Sequence, residues 1–316
     1  RAFTAAGAAG GHRLCVVGLL GALIDSSALV HAGALPPASR AALESIARAP
    51  RTTLVVVSGR ERALLDEWFS GIPAWLAAEN GLWVSDRTQG GAPAPWEKLY
   101  ELPAPEGSLM PTVRGVFKYF EDRTPNSFTE VHESCITWHH PPPPLDHVSQ
   151  WDAGDPGPPG RAAQVAVPAA GAVDISISDF GAYMASQLHA HLIKVLGNSP
   201  VEVHLGGDRV EVRPSGVTKA QALECILDRL PVGPDCVVAL AAPMERDEGM
   251  FGVLRALATD ACYACSTQPA AGTVQATHFV DGPRAVAQVL AALGQAAMRE
   301  VALPPLGRGA SASARQ

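Results

Sequence analysis

The sequence predicts an α/β fold in which a core of parallel strands and covering helices is interrupted by an inserted α+β domain. Strand-like and helix-like segments alternate near the start of the chain and again towards its end, which is typical of a parallel sheet covered by helices. The middle of the chain lacks this alternation, so we expect a smaller, separate unit there. With 316 residues and 47% apolar content, the chain is long enough to bury a sizeable core.

The first part of the core is predicted over residues 12–104. Residues 13–24 form an apolar run, as expected for a strand that is buried on both faces. A helical pattern over residues 36–49 follows, then a strand-like run over residues 53–57 and an amphipathic helix over residues 61–69. This order of strand, helix, strand and helix predicts parallel strands.

The second part of the core is predicted over residues 213–297, where helical patterns again alternate with a strand-like run. The helical segments are residues 219–230, 248–257 and 286–293, and the strand is residues 236–241. The small and polar tail over residues 298–316 is expected to be disordered.

The inserted domain, or cap, is predicted over residues 105–212. Its predicted elements are a helix, a strand and a hairpin that turns at Gly206 and Gly207. They cover residues 112–119, 127–138, 201–204 and 209–212. Residues 141–160 are dominated by proline and glycine, which predicts an exposed loop because neither a helix nor a strand ladder can persist there.

The composition excludes several classes of protein. The 31 acidic side chains outnumber the 24 Lys and Arg residues, and the net charge of -7 opposes binding to nucleic acid. No apolar run reaches the roughly 18 to 20 residues that span a bilayer, so we expect no membrane segment. The six cysteines are sparse and irregularly spaced, which predicts a reducing compartment and therefore a cytoplasmic protein.

The start of the chain indicates that more sequence precedes it. The first residue is Arg1 rather than Met, and residues 1–11 lack the apolar core of a signal peptide. We therefore expect this sequence to be a fragment of a longer protein.

A candidate anion-binding group follows the strand predicted at residues 53–57. Ser58, Gly59 and Arg60 combine a hydroxyl, a glycine and a guanidinium at the carboxyl end of that strand, where doubly wound folds bind ligands. Such a group can hold a phosphate. The same residues also suit a capped helix start after a strand, so this motif alone does not decide between the two.

Longer segments carry a more specific signal, because they resemble, in order, those of the trehalose-6-phosphate phosphatase family of the haloacid dehalogenase superfamily. These segments are residues 58–69, 76–81, 123–130, 136–139 and 210–219, and the resemblance covers roughly residues 12–295. It implies a Rossmann-like haloacid dehalogenase core with an inserted α+β cap, and hydrolysis of trehalose 6-phosphate to trehalose with Mg2+.

The resemblance fails at the positions that carry the family's chemistry. In the family, the first aspartate of the motif Asp-Xaa-Asp-Gly-Thr attacks phosphorus, and the second is the general acid and base. Here Gly18 stands at the nucleophile position and Leu20 at the acid/base position. Neither side chain can form a covalent bond to phosphorus or transfer a proton. The resemblance therefore implies an inactive phosphatase with no catalytic residue.

The family's metal site is also altered. A second aspartate pair, in the motif Gly-Asp-Asp-Xaa-Xaa-Asp-Glu, binds Mg2+ in the family. Pro243 and Met244 replace that pair in this chain, although Asp247 and Glu248 remain. Because Mg2+ needs hard oxygen ligands, which proline and methionine side chains do not supply, we expect no metal and no other cofactor.

The ligand-binding positions of the family are largely retained. By resemblance, Ser58, Arg60 and Lys219 would bind phosphate, and Glu130 and Glu211 would bind sugar. Since the carboxyl ends of parallel strands point the same way, we expect the three phosphate residues to lie in one cleft.

Three hypotheses follow from this pattern. The first is an inactive phosphatase-like domain of trehalose metabolism, fused to or associated with a trehalose-6-phosphate synthase. The second is a working phosphatase in which Asp25 acts in a slipped register, although Asp25 also suits a surface turn. The third is a non-catalytic sensor that binds trehalose 6-phosphate through the phosphate residues and Glu130. His132 bears on the third, because the family usually has a lysine there.

Two further groups resemble metal ligands only in their spacing. Cys262 and Cys265 are three residues apart, as in zinc sites, but no second Cys or His pair accompanies them, so we interpret them as strand residues. His189 and His191 fall on a predicted helix, where side chains two residues apart diverge.

Overall fold

The structure is a computed structural model, and the chain divides in it into two compact units. Residues Arg1–Glu101 with Gly216–Gln316 form what we call the core unit, and Leu102–Ser215 form the cap unit. The residues that the structure describes are 2–24, 34–90, 92–101, 109–140, 177–197, 199–206, 208–242, 245–257, 259–267 and 275–302.

The described residues form helices and strands in both units. The helices are α1 (Ala2–Ala8), α2 (Pro37–Ala47), α3 (Arg62–Trp68), α4 (Met110–Glu121), α5 (Ile177–Leu196), α6 (Lys219–Asp228), α7 (Glu245–Arg255) and α8 (Gly282–Ala302). The strands are β1 (Arg13–Gly18), β2 (Thr52–Val57), β3 (Trp75–Ala78), β4 (Trp83–Asp86), β5 (Glu97–Lys98), β6 (Phe128–Val131), β7 (Ile136–His139), β8 (Val201–Leu205), β9 (Arg209–Pro214), β10 (Cys236–Ala241), β11 (Cys262–Ser266) and β12 (His278–Phe279). Of these helices, none is both long and apolar enough to cross a membrane.

The core unit is built on one sheet whose described strands run in the order β12-β11-β10-β1-β2-β3-β4-β5. All neighbouring strands from β12 to β3 pair in parallel. β4 pairs antiparallel with β3, and β5 pairs antiparallel with β4. Helices connect the parallel strands, as the alternating pattern predicts. The predicted fold class, an α/β core with an inserted α+β cap, is confirmed.

Every residue of β1 is buried, because the strand lies in the middle of this sheet. Leu14 and Val16 pack in the hydrophobic core on one face, together with α6 and α7. Cys15 and Val17 pack on the other face, against α2 and α8. Apolar residues therefore occupy positions 14–17 on both faces of the strand, whereas a half-exposed strand would alternate.

The cap unit contains a four-stranded antiparallel sheet in the order β6-β7-β9-β8. The predicted hairpin is confirmed, with Val203 opposite Val212 in the β8–β9 pair. One face of this sheet is apolar and packs against α4 and α5 through Trp138, Val210 and Val212. Because side chains alternate between faces, the opposite face receives the polar residues of the same strands.

Some predicted boundaries are wrong. The final helix extends to Ala302, so the first residues of the supposedly disordered segment 298–316 are helical. Buried Val286, Leu290 and Ala297 continue one apolar stripe along α8, which keeps the helix packed beyond residue 293. The remainder of that tail, from residue 303, and the predicted loop at residues 141–160 lie outside the described residues.

Two strand predictions are also too long. The apolar run at residues 13–24 ends as a strand at Gly18, because the chain turns and the Leu23 amide donates to the Leu19 carbonyl at 3.0 Å. The strand predicted at residues 127–138 is two strands, β6 and β7, joined by a turn in which the His132 amide donates to the Cys135 carbonyl. In the first case apolar residues continue through the turn, so hydrophobicity alone does not reveal where the strand ends.

We expect Gly81→Ala to destabilise the core unit strongly. Gly81 has a φ of +100°, and a Cβ atom there would lie 2.4 Å from the Thr218 carbonyl oxygen. The left-handed backbone costs roughly 1–2 kcal/mol for alanine, and the clash adds about 1–3 kcal/mol. Gly71→Ala is the matched control, since Gly71 has a φ of +78° and nothing within 4 Å of the added atom. Urea denaturation measures both, and equal losses would contradict the role of the close contact.

Candidate functional site

The end of β1, where the resemblance places a nucleophile, is tightly packed. Gly18 is the last residue of β1 and is buried. A Cβ atom at this position would lie 3.3 Å from the Cβ of Ala241, which ends the neighbouring strand β10. That distance is shorter than ordinary van der Waals contact between carbon atoms. Gly18 therefore offers no attacking group, and its surroundings leave little room for one.

The turn after β1 carries the position of the general acid and base. Leu20 is partly exposed there and forms an isolated bridge with Ile24. Gly21 has a φ of +76°, and a Cβ atom on it would lie 2.6 Å from the Cβ of Ala242. Only glycine fits such a close approach, so the shape of this turn depends on Gly21. Leu20, which the resemblance assigns to the acid/base position in this turn, is apolar and cannot carry a proton.

The positions that would hold Mg2+ do not fit that ion. The resemblance assigns Gly18, Leu20, Pro243 and Met244 to the four aspartate positions, and none of them has a carboxylate. Pro243 and Met244 lie outside the described residues, as does Asp25. In the part of the chain that the structure describes, no group of three or more His, Cys, Asp or Glu side chains could hold a metal ion.

Ser58 follows β2 directly and is buried. Its Oγ accepts a hydrogen bond from the Arg60 amide at 2.9 Å, which folds the Ser58–Arg60 segment into a tight turn. The Ser58 carbonyl accepts from the Asn80 amide at 2.9 Å, and the Arg60 carbonyl accepts from the Glu79 amide at 3.0 Å. The two loops that follow β2 and β3 are therefore held together by their backbones.

Lys219 is the first residue of α6, directly after the capping residue Thr218. The Thr218 Oγ1 accepts a hydrogen bond from the Gln221 amide at 3.2 Å, as a helix cap requires. Gly81 lies against the Thr218 carbonyl, so the start of α6 packs on the same Glu79–Gly81 turn that holds Ser58. The structure thus brings Ser58, Arg60 and Lys219 to one region of the core unit, although their roles in binding stay predictions.

Among the residues that the structure describes, some buried side-chain oxygens at this edge of the sheet have no hydrogen-bond partner. They include Oδ1 of Asn80 and Oγ1 of Thr267. Asn80 Oδ1 lies 2.9 Å from where a Cβ of Gly59 would be, and Thr267 Oγ1 lies 4.0 Å from that of Gly21. Buried polar groups are usually paired, so both oxygens are suited to a polar ligand or water. Sequence patterns give no signal for either residue.

In the cap unit, Glu130 lies on β6 with two histidines at its carboxylate. His132 Nε2 lies 3.0 Å from Glu130 Oε1, and His139 Nε2 lies 3.2 Å from Glu130 Oε2. His139 also stacks on the ring of Phe128, with centroids 4.7 Å apart. Both carboxylate oxygens of this predicted sugar-binding residue are therefore occupied by imidazole groups on the polar face of the sheet.

Glu211, the second predicted sugar-binding residue, lies on the same face as Glu130. The pairing register places Glu130 opposite Thr137, Thr137 opposite Glu211, and Glu211 opposite His204. These four residues form one row across the strands, and residues directly opposite each other share a face. Glu211 is buried within the row, whereas Glu130 is partly exposed. The structure brings the two carboxylates to one surface, as sugar recognition would require.

A second group of charged residues on this face, which is centred on Glu202, was not identified from the sequence. Glu202 Oε2 accepts from Arg213 Nε at 3.1 Å and Nη2 at 2.9 Å, and lies 3.1 Å from His204 Nε2. Burial acts to raise the pKa of Glu202, but the hydrogen bonds from Arg213 and His204 outweigh it and lower the pKa below its usual value. The alternating charges of residues 201–204 and 209–213 are the signal that could have indicated this face.

Cys262 and Cys265 are structural residues of a strand and do not form a metal site. Cys262 and Cys265 lie on β11, where residues three apart point to opposite faces, so they cannot bind one metal ion together. Burial raises the pKa of Cys262, and it raises that of Cys265 to about 11. Both thiols therefore stay protonated near neutral pH, which agrees with their interpretation as strand residues.

Comparisons with known proteins connect these features to one family. The sequence model of the trehalose-phosphatase family matches residues 25–151 and 177–283, more than half of the chain. The match begins after the turn that follows β1, so Gly18 and Leu20 precede it. A bifunctional trehalose-6-phosphate synthase/phosphatase of Thermoproteus tenax is 30% identical over 211 residues, which are 67% of this chain and 23% of that protein. The chain spans about a quarter of the length of the curated relatives it matches.

Solved structures show the same fold. The C-terminal domain of trehalose-6-phosphate phosphatase from C. albicans superimposes with a TM-score of 0.67 at 22% identity, covering 90% of this chain and 93% of that one. The C-terminal domain of a trehalose synthase regulatory protein from Candida albicans gives a TM-score of 0.62 at 16% identity, covering 90% of this chain and 94% of that one. At these identities the likeness establishes the fold alone.

We expect Glu202→Gln to lower the stability of the cap unit near neutral pH and to have little effect in acid. Because the pKa of Glu202 is lower in the folded chain, its contribution is complete above the unfolded pKa, about 4.3, and is lost as the pH falls through the folded value. The side chain is partly exposed, so the loss should be about 0.5–1 kcal/mol.

Thermal denaturation between pH 3 and pH 7 measures this difference. Asp122→Asn is the control, because Asp122 forms an exposed i,i+4 pair with Lys118 on α4. A deficit of Glu202→Gln that is the same at pH 3 and pH 7 would contradict the electrostatic role of Glu202.

Proposed function

The chain belongs to the trehalose-phosphatase family, and we propose that it is a phosphatase-like domain that no longer hydrolyses a phosphate ester. One observation carries the proposal. Gly18 ends β1 at the nucleophile position, against Ala241. A phosphoryl-enzyme intermediate needs a nucleophilic side chain, and a glycine cannot form one.

The other parts of the catalytic apparatus support the same proposal. Leu20 replaces the proton donor, and Pro243 and Met244 replace the metal-binding pair. In enzymes whose catalytic residues act as a unit, the loss of one member already removes most of the rate enhancement. These replacements together remove the groups that attack phosphorus, transfer the proton and bind Mg2+ in the family.

We also propose that the domain acts in trehalose metabolism as part of, or together with, a longer protein that includes a trehalose-6-phosphate synthase. The Thermoproteus tenax relative, whose name combines synthase and phosphatase, supports this proposal, as does the short share of its length that the chain covers. For the domain we propose a core at residues 12–104 and 213–297 and a cap at residues 105–212. The two compact units support that division.

A second candidate function is a sensor that binds a sugar phosphate without turnover. The shared Glu79–Gly81 turn, which contacts both the Ser58 segment and the start of α6, favours it. A hydroxyl, a guanidinium, a lysine and a helix N-terminus together suit a phosphate group. On the cap sheet, the row that contains Glu130 and Glu211 offers carboxylate acceptors for sugar hydroxyl groups.

The first test is phosphate release from trehalose 6-phosphate with excess Mg2+. We expect no saturable turnover from the unmodified chain, because it lacks a nucleophile and metal ligands. Saturable, metal-dependent turnover that Asp25→Asn abolishes would overturn the proposal and favour the slipped register.

Binding is measured on the same samples as thermal stabilisation by trehalose 6-phosphate, which reaches about 2.7 kcal/mol at 100 times the Kd. Stabilisation without turnover supports the sensor. Its absence leaves the phosphatase-like domain without a ligand-binding role and rejects the sensor.

A second test is the restoration of activity. We expect Gly18→Asp alone to give no turnover, because a proton donor and Mg2+ ligands are still missing. Turnover should require Leu20→Asp, Pro243→Asp and Met244→Asp as well, with Ala241→Gly to make space for the new side chain at position 18. The same combination with Gly18→Asn is the matched control and should stay inactive. Phosphate release by Gly18→Asp alone would contradict this account of the site.

A further inference from the structure

Glu130 is more accessible than Glu211, the other carboxylate in the row across the cap sheet. The histidines beside Glu130 are less exposed than Glu130 itself. The side chain of Glu130 is 33% exposed, whereas those of His132 and His139 are 14% and 17% exposed. The carboxylate is therefore more open to solvent than the two histidines that contact it. Such an arrangement orients a group that must meet a ligand from solvent.

Each histidine contacts a different oxygen of the same carboxylate. His132 Nε2 lies 3.0 Å from Oε1 and His139 Nε2 lies 3.2 Å from Oε2, so rotation about the last bond of Glu130 would break both contacts. An imidazole Nε2–H can donate to a carboxylate in either the neutral or the charged state of the ring. The carboxylate is consequently held by two donors, one at each oxygen.

The histidines are themselves held by the fold. His139 is fixed by its stack on Phe128 and by its place on β7, opposite Phe128 in the pairing register. The His132 backbone is fixed by the hydrogen bond from its amide to the Cys135 carbonyl, at 2.8 Å, in the turn between β6 and β7. Neither histidine needs a ligand in order to adopt this position, so Glu130 is oriented in advance.

We propose that His132 and His139 are positioning residues that orient the Glu130 carboxylate for the hydroxyl groups of a sugar ligand. This inference rests on the proposed binding of a sugar phosphate. A carboxylate accepts about four hydrogen bonds in its plane. Two imidazole donors that fix this plane allow the two oxygens to meet neighbouring hydroxyl groups of one sugar ring. Orienting a binding group beforehand lowers the entropic cost of binding.

A comparison of ligands that contain a sugar with one that does not distinguishes this role from a general loss of stability. A positioning role for the histidines concerns only the hydroxyl groups of the sugar, which inorganic phosphate lacks. Removal of either histidine should therefore weaken binding of trehalose and trehalose 6-phosphate but leave binding of inorganic phosphate unchanged.

Isothermal titration calorimetry of the full chain tests the inference with trehalose, trehalose 6-phosphate and inorganic phosphate. We expect His132→Ala and His139→Ala each to weaken sugar binding about 10-fold, as for the loss of a hydrogen bond to a charged group. His132→Gln retains an N–H donor and should recover most of the affinity. Added to Glu130→Ala, either histidine change should cost little more, because residues that act together are not additive.

His191→Ala is the matched control, because His191 is exposed on α5, the helix that packs on the apolar side of the cap sheet. It should bind all three ligands as the unmodified chain does. If the unmodified chain binds neither sugar, the proposed ligand-binding function fails and this inference fails with it. If it binds them and both alanine variants bind equally well, or His132→Gln is no better than His132→Ala, only the positioning role is overturned.

Discussion

The parallel pairing of β1 with β2 on one side and β10 on the other is the constraint on which the core unit depends. The register places Gly18 opposite Val57 and Val17 opposite both Val56 and Leu240. Three strands therefore end at the same edge of the sheet, and the loops that follow them must share a small space. The candidate ligand site includes the loop that follows β2, so its geometry depends on a buried strand that contributes no polar side chain to it.

Close packing at this edge explains why glycine recurs there. Gly21 approaches Ala242, and Gly81 approaches the Thr218 carbonyl, at distances that no side chain tolerates. Gly18 is less extreme, but it too packs against an alanine of β10. A glycine at the position that the resemblance assigns to the nucleophile is thus consistent with the packing around it. Such a core can fold without carboxylates there because burial of apolar surface holds the strands together.

In the cap unit, side chains along each strand alternate between an apolar face that packs on helices and a polar face. Val210 and Val212 face α4 and α5, while Glu211 between them faces the polar side of the sheet. The same alternation brings Glu130 into a row with Glu211 across three strands, although 80 residues separate them in the chain. His132 replaces the lysine that the family resemblance leads one to expect. It contacts Glu130 directly, so the substitution changes how the carboxylate is held.

The sequence by itself determined the fold class and the residue types at the positions that the resemblance assigns to catalysis. Apolar runs such as residues 53–57 identify buried strands, because burial on both faces leaves no choice of residue type. The absence of carboxylates at Gly18 and Leu20 is likewise visible in the residue types alone. Only the tertiary structure decided where β1 ends, because a turn that stays buried is as apolar as a strand.

The tertiary structure also decided which distant side chains meet. It placed His132 and His139 on the two oxygens of Glu130, and Arg213 and His204 on Glu202. These contacts depend on strand register, which follows from turns and packing across the whole sheet. The local sequence records only that each residue is polar, and a polar residue on a strand can meet any partner that the register brings opposite it.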